Sequence, residues 1–207
     1  VTRGTGFQYG QVLLNQAMDV HPPLYYLLVH TVFSFFPGQY TKWFLFGINI
    51  FFLLATLVLM YQIIKKYFRS QSMAFWAVAL LGFSQGFSSC AVYFRMYAVL
   101  TFFVMATYGV QLRLLESGFE IRGKNRILLL LTTILGFCTH YYFLLFFAGI
   151  VFVNGILLVR KREFPVLLRY MKNILLSAIL CLILWPFSLY HIFFGYRGTE
   201  AVTKLVA

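Results

Sequence analysis

The sequence predicts an all-α protein, a polytopic transmembrane helical bundle with about six crossings plus a juxtamembrane helix. Three observations predict the bundle. Of the 207 residues, 61% are hydrophobic, 20% aromatic and only 11% charged, against roughly 25% charge in a soluble domain. Long apolar stretches recur along the chain. Between them, three clusters hold 12 of the 17 Lys and Arg residues.

A formal charge of +12 would point to nucleic acid in a soluble protein. Here the basic residues flank apolar runs, which is the pattern of cytoplasmic loops in an integral membrane protein, so nucleic acid is excluded as a partner. Cys90, Cys138 and Cys181 lie in apolar surroundings without paired spacing. They read as small core residues rather than zinc ligands or a disulfide framework. The chain opens at Val1 without an initiator methionine, signal peptide or opening hydrophobic helix, and reads as an internal piece of a longer protein.

A crossing needs about 20 apolar residues. Residues 43–64 meet this without a charge, and 73–89, 91–112, 127–159 and 173–194 follow. The stretch 127–159 is too long for one crossing and short for two. Charge decides between them. The clusters are Lys65, Lys66 and Arg69, then Arg113, Arg122, Lys124 and Arg126, then Arg160, Lys161, Arg162, Arg169 and Lys172. They share one side only if 127–159 is a hairpin, and its midpoint is the polar step Thr139, His140. Six crossings result, with both chain ends on the outer side. The first limb, 127–139, rises only about 20 Å, so its turn is expected below the outer surface, where only a protein-lined or watery cavity tolerates irregular backbone.

Residues 22–36 are too short to span, and a crossing there would reverse the orientation. They read as a juxtamembrane helix entered through a proline and closed by Pro37 and Gly38. One domain results: 1–42 as an outer loop with the juxtamembrane helix, 43–194 as the transmembrane helices, and 195–207 as the start of another outer loop.

With that orientation, the unusual polar residues gather on the outer side: Asp19, His21, Ser88, Ser89, Arg95, His140, His191, Arg197 and Glu200. Arg95 stands near the outer end of 91–112 without an acidic residue within a helical turn. Intramembrane charge usually faces a cavity or partner, so Arg95 reads either as a phosphate ligand, matched by its bidentate donors, or as a side chain snorkelling to the interface. His140 reads as a core histidine or as a ligand to phosphate or metal. Asp19 and His21 read as loop residues capping the next helix or as part of a site. No cofactor signature is present, although Asp19, His21 and His140 are of metal-binding type and leave a divalent metal open.

The string Asp19-Val20-His21-Pro22-Pro23-Leu24-Tyr25-Tyr26-Leu27-Leu28-Val29-His30 resembles the opening motif of the membrane glycosyltransferases related to dolichyl-phosphate-mannose protein mannosyltransferases. Arg95-Met96-Tyr97-Ala98 is similar to that family's arginine-tyrosine element, and Thr139-His140-Tyr141-Tyr142 to its histidine-tyrosine element. The ending from Tyr190-His191-Ile192 to Tyr196-Arg197-Gly198-Thr199-Glu200 resembles bacterial, family-39-like members. The match runs over nearly the whole chain.

The resemblance implies the C-type (GT-C) glycosyltransferase fold, with juxtamembrane helices in the first outer loop. It implies transfer of a sugar from a polyprenyl-phosphate-linked donor to an extracytoplasmic acceptor (protein, lipid or cell-envelope glycan) by an enzyme of the bacterial cytoplasmic membrane. The family's first transmembrane helix and the acidic residue after it, usually its catalytic carboxylate, would precede Val1. Many relatives also carry an acidic residue where Tyr93 and Phe94 stand here. Asp19 is therefore the one nearby candidate base in this chain, and the chain alone is expected to be inactive. Arg95, His21, His140 and Tyr97 are the candidate donor-phosphate ligands, with Tyr141, His191, Arg197 and Glu200 as further outer candidates. A lipid or solute transporter and a non-catalytic membrane subunit are the alternative readings.

Overall fold

Lipid offers no hydrogen bonds, so each crossing must satisfy its backbone within one helix, and every break needs help from neighbouring protein. The computed structural model describes residues 1, 2 and 4–194, and among these it contains helices and no strand. The bundle is an all-α, helical membrane protein, as the apolar stretches require. Four helices are long and apolar enough to cross a membrane: α3 (Lys42–Phe68), α6 (Tyr97–Glu116), α8 (Phe143–Arg160) and α9 (Phe164–Leu184). The pair α4 (Gln71–Gly82) and α5 (Gln85–Val92), bent by 57°, makes a fifth if it is one span. The short first limb of the hairpin is α7 (Gly123–Thr139). Its 17 residues rise about 25 Å.

Two helices precede the bundle, α1 (Tyr9–Ala17) and α2 (Leu24–Phe35). The second lies where the sequence places a juxtamembrane helix over 22–36, and it is shorter by two residues at its start, where Pro22 and Pro23 precede the first turn, and by one at its end. A short α10 (Phe187–Phe193) ends the described chain.

Large apolar side chains such as Phe51, Leu54, Phe75, Trp76, Leu80, Leu145, Phe152 and Ile183 are exposed on the bundle surface. Water would penalise that surface by roughly 25 cal/mol per Å², whereas lipid tails do not.

Thr41, Ser70 and Ser84 cap α3, α4 and α5, accepting from the backbone N–H groups of Trp43, Met73 and Phe87. Ser84 also marks the bend inside 73–89, a stretch counted above as one crossing. Its hydroxyl donates to the Leu81 carbonyl at 2.7 Å, tying off the end of α4. The last apolar stretch is also corrected. The crossing is Phe164–Leu184 rather than 173–194, so Arg169 and Lys172 lie within the helix. Pro186 explains the shift, because proline has no N–H and disfavours helical backbone at the residue before it. Trp185 indeed turns out of the helix, with φ −138° and ψ 75°.

The hairpin within 127–159 is present, with its break at residues 140–142. Glycine at 136 allows it to close tightly. A Cβ there would overlap the ring of Phe143, which is fully buried at the start of α8.

All three basic clusters meet at one end of the bundle. Lys66 on α3 pairs with Glu116 at the end of α6, and Leu114, Phe119, Ile121, Leu129, Leu158 and Tyr170 pack together beneath the loops that carry the other clusters. A buried polar triad lies at the same level. Asn154 Nδ2 donates to Gln111 Oε1 at 3.0 Å and to Tyr170 Oη at 3.3 Å. The Tyr170 hydroxyl donates to Gln111 Oε1 at 3.0 Å. One amide-centred knot thus joins α6, α8 and α9.

Two outcomes follow from this layout. In a cysteine-free background, Ser88→Cys and Tyr142→Cys should react with an impermeant thiol reagent from the outside, and Ser117→Cys only after permeabilisation. Labelling of all three from one side would remove the hairpin. Tyr170→Phe should cost about 0.6 to 1.7 kcal/mol, the range for interhelical hydrogen bonds in membranes, read by denaturation in detergent. A neutral result would make the triad incidental.

Candidate functional site

The end of the bundle opposite the basic clusters collects the breaks, and the breaks present the polar residues. The first break separates α5 from α6 at residues 93–96. Arg95 lies in this break, ahead of α6, and not inside a helix as the apolar run 91–112 implied. The cause is Asn49, fully buried on α3. Its Nδ2 lies 3.0, 3.3 and 3.1 Å from the carbonyl oxygens of Cys90, Ala91 and Tyr93. Carbonyls at a helix end lack intrahelical partners, and this amide supplies them.

Released from the helix, Arg95 is exposed, and its guanidinium carbon sits 5.3 Å from the ring centre of Tyr93. An aromatic ladder leads inward from there. Tyr93 stacks on Tyr97 with centroids 5.9 Å apart, and Tyr97 stacks on His140 at 5.8 Å. His140 contacts the rings of Tyr142 at 4.5 Å and His21 at 5.9 Å.

The second break, between α7 and α8, is where His140 sits, almost fully buried. Its Nδ1 accepts the backbone N–H of Tyr142 at 3.0 Å, which caps the start of α8 and places the ring proton of a neutral imidazole on Nε2. The third contributor is the turn before α2. Asp19 Oδ1 accepts the N–H of Val20 at 2.7 Å, and Oδ2 lies 3.1 Å from His21 Nδ1. Asp19 therefore aims His21 toward His140.

Asp19 and Arg95 converge electrostatically at Tyr26 on α2. Burial pushes the Tyr26 hydroxyl above its ordinary pKa, the Asp19 carboxylate adds to the rise, and Arg95 opposes it. Its neighbour Tyr25 is pushed up to about 12, chiefly by burial.

Tyr141 and His191 form a separate connection. The Tyr141 hydroxyl is 2.9 Å from His191 Nδ1, and His191 Nε2 is 3.0 Å from the Ala17 carbonyl oxygen. A carbonyl only accepts, so Nε2–H donates to Ala17 and Nδ1 receives the Tyr141 proton. This chain straps α10 to the end of α1 and to the second break. Arg197 and Glu200 lie outside the described residues.

Asp19, His21, Tyr97 and His140 are thus brought together, with Arg95 at the rim. Among the described residues, no group of three or more His, Cys, Asp or Glu is arranged to hold a metal ion. His21 Nδ1 and His140 Nδ1 are engaged by Asp19 and by the Tyr142 N–H. The three cysteines are free thiols.

Sequence reasoning missed Asn49, Tyr26 and a cavity of about 300 Å³ between α1 and α2. Tyr26, Gln16 and His30 line that cavity, and Gln16 Oε1 and His30 Nε2 are buried there without a hydrogen-bond partner. A lone asparagine inside an apolar run was the one legible signal for Asn49.

Comparison of the chain with protein-family models, with curated proteins and with solved structures finds no match.

The prediction here concerns Asn49. Asn49→Leu strands carbonyls at the first break and should destabilise the protein by about 1 to 3 kcal/mol, with Asn49→Gln recovering little because its amide is displaced by a methylene. Denaturation in detergent measures both. Equal stability of Asn49→Leu and the parent would show that the break holds itself.

Proposed function

We propose that this chain belongs to a membrane glycosyltransferase that moves a sugar from a polyprenyl-phosphate-linked donor to an extracytoplasmic acceptor. The observation that carries the reading is the convergence of Asp19, His21, Tyr97 and His140 from three distant segments, with Arg95 at its rim, at the end opposite the basic clusters. The sequence motifs that resemble the dolichyl-phosphate-mannose protein mannosyltransferases are the same segments.

The reaction needs positive groups to steady the departing lipid phosphate and a base for the acceptor hydroxyl. Arg95 supplies a forked, permanently charged donor that is exposed and rests against the Tyr93 ring. Asp19 holds His21 through Nδ1, which leaves Nε2 as the ring atom to face the lipid phosphate. Tyr97 adds a hydroxyl beside His140. Asp19 is committed to the Val20 N–H and to His21, so it acts as the positioning residue for the imidazole. On this reading the base for the acceptor hydroxyl is a carboxylate other than Asp19.

A polyprenyl tail needs a long apolar trough reaching lipid. A groove of about 1110 Å³ runs between α7, α8, α9 and α10, with Phe137, Phe147, Phe152, Ile174 and Leu189 among its walls. Its open side supports this use.

The test uses the full-length protein reconstituted with a labelled polyprenyl-phosphate sugar. Losing a charged hydrogen bond costs roughly 1.5 to 3 kcal/mol, so Arg95→Ala should weaken donor use about 10 to 150-fold. Arg95→Lys should recover only part. Donor kinetics unchanged in Arg95→Ala at normal expression would remove the phosphate role. Donor binding with no transfer by the full-length protein would favour the transporter or non-catalytic subunit.

A further inference from the structure

The basic end carries a cleft that the glycosyltransferase reading does not use. It lies where α3, α6 and α7 diverge and has a volume of about 390 Å³. Lys66, Arg113 and Lys124, one from each helix, line its mouth. Leu59, Ile63 and Leu128 line its depth. From Lys66 down to Leu59 is seven residues, about 10 Å along α3, so the cleft changes from cationic to apolar within the length of a lipid headgroup and glycerol.

Charge in the mouth is unbalanced. Glu116 pairs with Lys66 and also lies within electrostatic reach of Arg113, so one carboxylate stands against three positive charges, and among the described residues no ion pair holds Arg113 or Lys124. A free inorganic anion would satisfy the mouth and leave the apolar depth without purpose. A neutral lipid would fill the depth and leave two cations uncompensated. An amphipathic anion satisfies both. Basic pockets between transmembrane helices are suited to anionic lipid headgroups, each nearby Lys or Arg contributing about 1 kcal/mol.

We infer that this cleft is a binding site for one anionic phospholipid, its phosphodiester held by Arg113 and Lys124 with Lys66, and its upper acyl chain lying against Leu59, Ile63 and Leu128. Bound there, the lipid closes the gap between the α3–α6 pair and α7 at the end of the bundle where the loops are most basic. Gly109 lines the floor of the cleft. A Cβ there would press on Ile63 Cδ1 at 3.2 Å, so a large side chain at 109 would displace Ile63 and disturb the wall against which the acyl chain is placed.

The test titrates phosphatidylglycerol and, separately, phosphatidylcholine into the delipidated full-length protein and counts bound lipid by native mass spectrometry. Phosphatidylglycerol should bind in preference, with one site saturating first. The double variant Arg113→Gln, Lys124→Gln should weaken that site about 30-fold, from two lost charges. Arg160→Gln, Lys161→Gln, at the same end but outside the cleft, should leave it within about twofold, as expected for an exposed pair distant from the mouth. Gly109→Phe should remove the site while Arg113 and Lys124 remain. Equal binding of the two lipids, or equal loss in the two double variants, would overturn the proposal in favour of general surface attraction. Displacement of phosphatidylglycerol by millimolar inorganic phosphate would overturn it in favour of a soluble-anion site.

Discussion

The amide of Asn49 is the interaction on which the upper half of this bundle depends. An asparagine within an apolar membrane helix is costly unless its hydrogen bonds are met, and helix ends buried without partners are equally costly. Here the Nδ2 of Asn49 meets the carbonyls of the helix end, while its Oδ1 stays buried without a partner among the described residues. Asn49 reaches the carbonyls of Cys90, Ala91 and Tyr93, and the chain leaves the helix, runs through Phe94, Arg95 and Met96, and re-enters as α6. Without that exit, Arg95 would sit on a helical surface set by the 3.6-residue repeat, and Tyr97 would not begin a helix facing His140.

The two ends of the molecule use polarity differently. At the basic end, Gln111, Asn154 and Tyr170 hydrogen-bond to one another inside the bundle and tie three helices together. At the other end, polar groups sit in turns rather than on facing helices. Asp19 orders His21, His140 caps α8 through the Tyr142 N–H, and His191 joins Ala17 to Tyr141. Each of these contacts holds a break in place, and the breaks bring Arg95, Tyr97 and His21 to one end of the bundle. The same backbone irregularity that lipid forbids elsewhere is tolerated here because side chains from other segments complete its hydrogen bonds.

The hairpin shows how much charge alone can reveal. Only a fold-back within 127–159 puts Lys66, Arg113 and Arg160 at one end, and the structure has them there, with the break one residue beyond Thr139. The bend at Ser84, the exit at Tyr93 and the stop at Trp185 were harder to see. Each lies inside an unbroken apolar run, where hydropathy has no contrast to report. Pro186 and Ser84 were visible as residue types, yet a serine or proline within a membrane helix often leaves it intact, since neighbouring helices can satisfy what it disturbs.

Residue chemistry along the chain therefore determined the class, the approximate number of crossings and the shared end of the basic clusters, because burial in lipid and loop charge act on local sequence. It also singled out Asp19, His21, Arg95, Tyr97 and His140, since polar groups are rare in so apolar a chain. Tertiary structure alone decided which of them meet. His191 and Tyr141 became a strap and Asp19 a support for His21, because a hydrogen bond across 174 residues depends on where helices end in space. No spacing in the sequence records that.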